Sequence, residues 1–431
     1  MASIVMYFQV HQPFRLRRYT VFDDDPFYFD NAENEKILRK VADKCYRPTT
    51  QLLLDLVRRH EGRFRFSYSI TGVALEQMEQ WAPDVIELFQ KLAETGCVEF
   101  LGETHHHSLS FLYSREEFVA QVRKHAATCE RLFGQTPKVF RNTELIYTND
   151  LGHFVSQIAG PDGRPMYQGM LCEGVDGLLS GRSPNFVYKP PHTGAGAHGG
   201  PFALLLKNYR LSDDIAFRFG NRAWNEWPLT AEKFAGWVNQ INGDGYLCNL
   251  FMDYETFGEH QWQETGIFQF LDAMPGQVFD VNPGHNHFNT PSEAIEQFPP
   301  VGVYDAPHMT SWADTERDLS AWLGNPMQSN ALQEVFRLEG PIKRALREAE
   351  ATGEALRIEE ARHLLEDWRK LTTSDHFYYM CTKYFADGDV HKYFNPYDSP
   401  YDSYINFMNV LDHVRKRIRA LAEPTVAVTP V

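Results

Sequence analysis

A mostly parallel α/β domain followed by a helical bundle is the fold class this sequence predicts, and three observations carry that prediction. Over the first 300 or so of the 431 residues, short apolar runs alternate with stretches of helical periodicity, which is the signature of stacked β-α units. From about Met327 onward the strand signals fade and amphipathic helices take over. The chain is long enough for an α/β barrel of about 250 residues with a second domain beside it, and no repeat of 20 to 50 residues argues for a solenoid.

The elements follow in order. Strands are expected at residues 4–10, 64–70, 97–101, 138–141, 203–207 and 247–252, each a short apolar run bounded by turn or helix signals. Between them, Phe118, Val122, Ala126, Cys129 and Phe133 return every three or four residues, which predicts a helix over 115–133, and Ser114 followed by Glu117 predicts a capping box at its start. Residues 160–230, with the Gly- and Pro-rich "KPPHTGAGAHGGPF", read as long loops carrying short strands. In the C-terminal part, Ala361, Leu364, Leu365, Trp368 and Leu371 line one helical face, and Leu411, Val414, Ile418 and Leu421 line another. The expected organisation is a catalytic domain over 1–310, a helical domain over 311–421 and a flexible tail over 422–431.

Composition narrows the function. A formal charge of -15, from 42 Lys plus Arg against 57 Asp plus Glu, opposes binding to nucleic-acid phosphates. The opening "MASIVMYFQV" lacks a basic region and a cleavage site, and no apolar stretch approaches the ~20 residues of a membrane span, so neither export by that route nor a membrane partner is expected. Six scattered cysteines without a C-x-x-C pair predict reduced thiols and a cytoplasmic protein. Aromatics reach 14% and include eight Trp. Trp224, Trp227, Trp262, Trp312 and Trp322 lie near loops, where they either stack on flat apolar ligand faces such as sugar rings or fill the core.

The chemistry sits at the carboxyl ends of the expected strands. The first ends in His11 and Gln12, the third in "VEFLGETHHH" with Glu99, Glu103 and His105 to His107, the fourth in Glu144, and the sixth in Asp253, Glu255, Glu259 and His260. In a parallel barrel these ends gather on one face. Glu144 stands between apolar runs, where an unpaired charge is costly and needs a partner or a purpose. Hydrolysis of a glycosidic bond uses two carboxyl groups held in different protonation states, a task that Glu144 and Asp253 on separate strands could share. The alternative, that each acid caps a helix or joins an ion pair, stays open on residue pattern alone. For the His run, strand alternation would let at most His105 and His107 converge on a metal, and neutral hydrogen-bonding histidines are the expectation.

The chain resembles glycoside hydrolase family 57, the α-amylase and 4-α-glucanotransferase family, in five blocks that stand in the family's order: "YFQVHQP", "GCVEFLGETHHH", "VFRNTELIY", "FMDYETFGEHQ" and "TSWADTERDLSAWLGN". The similarity runs from Tyr7 to about Met380 and is nearest to the α-amylase branch. The resemblance implies an incomplete (β/α)7 barrel followed by a C-terminal α-helical bundle. It also implies retaining chemistry on α-1,4-glucans, with no catalytic metal and no cofactor. Glu144 matches the family's nucleophile and Asp253 its general acid/base. His11, Glu99, His105, Arg141, Glu255, His260, Trp312, Asp314 and, from "TSDHFYYM", Asp375 are the expected substrate-binding residues. One departure is Arg141, where many members carry an aromatic three residues before the Glu. The same blocks fit a 4-α-glucanotransferase or a glucan branching enzyme. A metal-dependent deacetylase- or mannosidase-like enzyme fits less well, because "HQP" lacks a companion Asp, and a non-catalytic glucan-binding protein would not need both acids.

Overall fold

In the computed structural model the described residues are 2–193, 196, 199–383 and 395–422. They form two compact units, the first comprising 1–12, 35–105 and 119–318, the second 13–34, 106–118 and 319–431. Residues 13–34 and 106–118 group with the helices of the second unit, and the first unit runs on to 318. Most of the tail expected over 422–431 lies outside the described residues.

Among the described residues ten strands build the first unit: β1 (Ser3–Val10), β2 (Phe66–Ile70), β3 (Val98–Phe100), β4 (Val139–Arg141), β5 (Gly169–Glu173), β6 (Val187–Lys189), β7 (Ala203–Lys207), β8 (Leu247–Asp253), β9 (His287–Phe288) and β10 (Gly302–Val303). One ladder runs β3-β2-β1-β8 with β9 also on β1, the other β10-β6-β7-β5-β4, and every pairing is parallel except β6 with β7. The two ladders meet at both edges. Just past β3, the Gly102 amide donates to Val139 and its carbonyl accepts from Arg141 (2.9 and 2.7 Å). Beside β7, the Asn249 side chain of β8 donates to the Leu206 carbonyl at 2.8 Å, and the Asn208 amide donates to Asn249 at 2.9 Å. Seven parallel strands thus succeed one another in the circuit β3-β2-β1-β8-β7-β5-β4, which is compatible with the expected seven-stranded barrel.

Alternate residues of these strands share one core. Val5 and Tyr7 of β1, Leu101, Val139, Leu171, Ala203 with Leu205, and Leu247 with Phe251 pack in a single buried cluster. Side chains two apart on a strand face the same way, so the next residues in that series are Gln9, Glu103, Arg141, Glu173, Lys207 and Asp253. An apolar layer is therefore topped, at the carboxyl ends, by a polar one.

All six strands expected from the sequence are present within two residues, β5 and β6 fall in the stretch read as loops carrying short strands, and β9 and β10 are additional. The strand β5 escapes a periodicity reading because it opens on Gly169, a position where a Cβ would stand 2.5 Å from the Ala203 carbonyl oxygen. Close approach of β7 selects that glycine.

The second unit is helical, with main helices Pro326–Arg337, Glu339–Thr352, Ala355–Leu371 and Pro400–Ala422. Trp368 is buried and donates its indole N–H to the Val335 carbonyl at 2.7 Å, and Phe407, Val410, Leu411 and Val414 supply the buried face of the last helix. Trp322 is also core, which answers the question of its role. Arg417 ties the last two helices together through Asp367 and Glu360 at 2.7 and 3.0 Å. At the start of helix Arg115–Phe133, Ser114 accepts from the Glu117 amide at 3.1 Å as expected, while the Glu117 carboxylate takes Arg369 at 2.8 Å.

Candidate active site

At the end of β4 the backbone turns sharply. Thr143–Leu145 is a single 3-10 turn in which Glu144 and Leu145 hold φ of 58° and 50°, a left-handed conformation that costs a non-glycine residue roughly 1–3 kcal/mol. What offsets this is the fifth sequence block, laid alongside as a short antiparallel bridge. Tyr147 and Thr310 exchange backbone hydrogen bonds at 3.0 and 2.9 Å, and the Trp312 amide donates to the Glu144 carbonyl at 3.2 Å. The Trp312 indole N–H then donates to Glu144 Oε2 at 2.8 Å. A carboxylate that sequence alone leaves among apolar neighbours is thus half-buried, aimed by a strained turn and held by a charge-assisted hydrogen bond.

Cations surround that tryptophan. The Arg141 guanidinium carbon lies 4.9 Å from the ring centroid and Lys207 Nζ 5.4 Å from it. Arg141 is 0% exposed, and none of its guanidinium nitrogens has a hydrogen-bond acceptor among the described residues. Its charge is therefore met in part by the indole face. Lys207 is fixed by Asp213 at 3.1 Å and Glu173 at 3.8 Å, and Glu173 also receives Arg317 at 2.8 Å. Burial raises the Glu173 pKa, while Lys207 and Arg317 oppose that rise. Arg317 and Trp312 belong to one loop, so the Glu173 pair anchors the segment that holds Glu144.

The end of β8 is built differently. Asp253 is half-buried and stands in register with Gln9 on β1. Two residues on, Glu255 is buried, and burial with the Asp253 charge second pushes its pKa up to about 8. Tyr46 donates to Glu255 at 2.5 Å, and Gln12 also bonds its carboxyl. His260, whose amide donates to the Glu255 carbonyl at 2.8 Å, has its pKa pushed down to about 4 by burial, so it is neutral at ordinary pH.

Tyr7 connects the two ends. Its phenol donates to Gln9, Gln9 donates to Glu103 at 3.3 Å, and Ser69 donates to the same Glu103 oxygen. Burial holds the Tyr7 phenol far above its usual range, Arg141 pulls it down, and Glu103 and Asp253 push it further up. Since β1 and β4 are not neighbours in either ladder, the coupling of Tyr7 to Arg141 runs across the interior. Tyr7, Gln9, Ser69, Glu173, Lys207, Arg317 and Tyr46 are residues around these strand ends that sequence reasoning did not nominate, whereas Glu103 appears in it as one polar residue at the end of the third strand. Polar residues two positions beyond inward apolar ones were the available signal.

The other expected residues are distributed as follows. His11 is half-buried, with Nδ1 2.9 Å from the Thr71 hydroxyl. Asp314 is half-buried with φ of 55°, two residues after Trp312. The Glu99 carboxylate accepts from the Ser292 amide at 2.9 Å, at the start of helix Pro291–Gln297, and burial raises its pKa to about 7. It lies two residues before Leu101 of the apolar layer, whereas Glu103 lies two residues after, in the polar layer. The strand ends at Phe100, so strand alternation does not govern the His run. His105 is buried against Gly72, where a Cβ would meet its ring at 2.1 Å, and its Nε2 lies 3.1 Å from Glu76. His106 and His107 belong to the helical unit, where His106 lies 3.6 Å from Glu366 and the His107 carbonyl accepts from Ser374. Asp375 is also in that unit, in the short helix Ser374–Tyr378.

A parallel α/β circuit whose strand ends carry a polar, carboxylate-rich layer defines an enzyme-like class of protein, with its site on the carboxyl face. The comparisons with known proteins make this specific. The model of glycosyl hydrolase family 57 matches residues 5–307, and the chain belongs to that family of glycosidases. A Methanocaldococcus jannaschii protein named "Putative alpha-amylase" is 38% identical over 416 residues, covering 95% of this chain and 83% of that one. Among solved structures, a GH57 branching enzyme from Thermococcus kodakaraensis superposes with a TM-score of 0.66 at 15% identity, over 98% of this chain and 90% of its own. The 4-α-glucanotransferase of Thermococcus litoralis gives 0.54 at 16% identity, over 91% of this chain and 54% of its own. At those identities the structural likeness speaks for the fold alone.

Proposed function

We propose that the protein is a retaining glycosidase of α-1,4-glucans, such as starch, glycogen and maltooligosaccharides, with Glu144 as nucleophile and Asp253 as general acid/base. The observation that carries this reading is the unlike setting of the two acids. Glu144 receives an indole N–H beside two cations, a setting for an ionised nucleophile, whereas Asp253 sits beside a second, buried carboxyl. The 38% identical relative named for α-amylase supports the substrate class.

In the first step a Glu144 oxygen bonds to the anomeric carbon as the bond to the leaving oxygen breaks, and Asp253 gives its proton to that oxygen. In the second, Asp253 takes a proton from the acceptor hydroxyl, whose oxygen displaces Glu144. Trp312 steadies the carboxylate as it leaves, while Arg141 and the anchored loop hold Trp312 in place. His11, Glu255, His260 and Asp314 are proposed to line the sugar site around this pair. The six cysteines are free and buried, which supports a reducing, cytoplasmic setting.

Water as acceptor makes the enzyme an amylase; a second glucan makes it a transferase. Product analysis after incubation with maltoheptaose separates the two. Short products alone are expected, a ladder above seven units would transfer the assignment to a glucanotransferase, and absence of any turnover of α-glucans would overturn the reading.

A further inference from the structure

The loop that leaves β8 after Asp253 carries a feature that the catalytic pair does not use. Trp262 is 60% exposed, a costly position for an indole on a loop with a built support. It lines a groove of about 590 Å³ with Asp43, Lys44, Gln263, Glu264 and Gln269, a size within the roughly 300–1,000 Å³ of small-ligand sites. Neither Glu144 nor Asp253 lines this groove.

The support is rigid. Gly258 holds φ of 111° and approaches the chain so closely that a Cβ would stand 1.9 Å from the Lys44 carbonyl oxygen. Its amide donates to the Gln261 carbonyl at 2.9 Å, and the Gln261 side chain donates to the Ala216 carbonyl at 2.9 Å. Lys40 and Lys44 both pair with Glu259, at 2.5 and 3.5 Å. On the far side of the indole, Thr265 donates to the Trp262 carbonyl through both its amide and its hydroxyl, at 2.9 and 2.7 Å. Lys44 Nζ lies 5.6 Å from the indole centroid, within cation–π range.

A pinned, exposed indole rimmed by two amide side chains, two carboxylates and one ammonium suits a ligand that is neutral, has a flat C–H face and offers many hydroxyls. Such a ligand is a sugar chain. The carboxylates of Asp43 and Glu264, on a chain of net charge -15, disfavour a polyanion. Resting on the α-glucan reading above, we infer that the Trp262 groove is a second binding site for one α-glucan chain, separate from the point of cleavage. It would retain a long polymer that the catalytic acids cut elsewhere.

The test uses the full chain and glycogen as probe. In a Glu144→Gln background, which removes cleavage, Trp262→Ala is expected to weaken retention in glycogen-containing native gels about tenfold, the loss typical of removing one aromatic anchor. With Glu144 intact, Trp262→Ala should turn over maltotriose at the parent kcat/KM, which also shows that the variant is folded. Unchanged glycogen retention would overturn the site. So would a parallel fall in maltotriose turnover, which would place Trp262 in the catalytic cleft, or loss of a concentration-dependent dimer on the same substitution, which would give the groove to a second copy. A parent protein that cleaves no α-glucan would instead sink the functional reading, and this inference with it.

Discussion

The ends of β4 and β8 each present an acid, and the chain surrounds them in opposite ways. Beside Glu144, Trp312 donates its indole N–H and has Arg141 and Lys207 at its ring, whereas two residues after Asp253 stands the buried Glu255, bonded by the phenol of Tyr46 and followed by a half-buried, neutral His260. One setting favours a carboxylate; the other crowds acids together and favours holding a proton among them. In the proposed mechanism the two carboxyl groups take different roles from their neighbours, with no chemistry of their own to distinguish them.

Substitutions can break that contrast. The largest effect is expected for Glu144→Gln, which should lower kcat on maltoheptaose by at least about a thousandfold while leaving the thermal transition in place. Activity near that of the parent would remove Glu144 from the mechanism. Asp253→Asn should cost about 10²–10⁴-fold on the same sugar, the usual range for a lost general acid. On an α-maltosyl fluoride, whose leaving group needs no proton, the loss in the first step should be much smaller. Equal losses on both substrates would contradict the assignment.

A milder change sharpens the comparison at the nucleophile. Trp312→Phe keeps an aromatic ring near the cations but removes the N–H together with the five-membered ring, which should lower kcat about 10- to 100-fold, the worth of a hydrogen bond to a charged group. If KM alone rises, the indole serves the sugar rather than Glu144.

The smallest effect concerns protons at the β8 end. Glu255 has a folded-state pKa near 8 against an ordinary 4.5, so its stabilising contribution is full at low pH and falls as pH rises from about 4.5 through 8. Glu255→Gln should flatten the decline of Tm across that window. Glu99→Gln should do the same up to about pH 7 without touching kcat, since its carboxylate holds the helix at Ser292. Equal catalytic damage from both would bring Glu99 back into the cleft.

The strands were legible because burial writes itself as apolar runs, and Glu144 and Asp253 stood out as acids placed where burial should exclude them. The polar layer was harder to see. Gln9, Glu103, Glu173 and Lys207 become visible only when strand register is known, since each takes its meaning from facing the same interior as Val5, Leu101, Leu171 and Leu205. Arg141 was noticed as a departure from family pattern, but its partner Trp312 lies 171 positions away in sequence, and no local pattern joins them. Glu99 and Glu103 illustrate the same limit. Glu99 lies inside the strand and Glu103 three residues past its end, and only their partners, the Ser292 amide for one and Gln9 with Ser69 for the other, tell them apart.

Covalent trapping tests the account most directly. The chain should be incubated with a 5-fluoro-α-maltosyl fluoride, digested and mapped by mass spectrometry. A glycosyl adduct on Glu144, absent from the Glu144→Gln protein, is the predicted result. An adduct on Asp253 instead, or release of a β-configured first product by proton NMR, would contradict it.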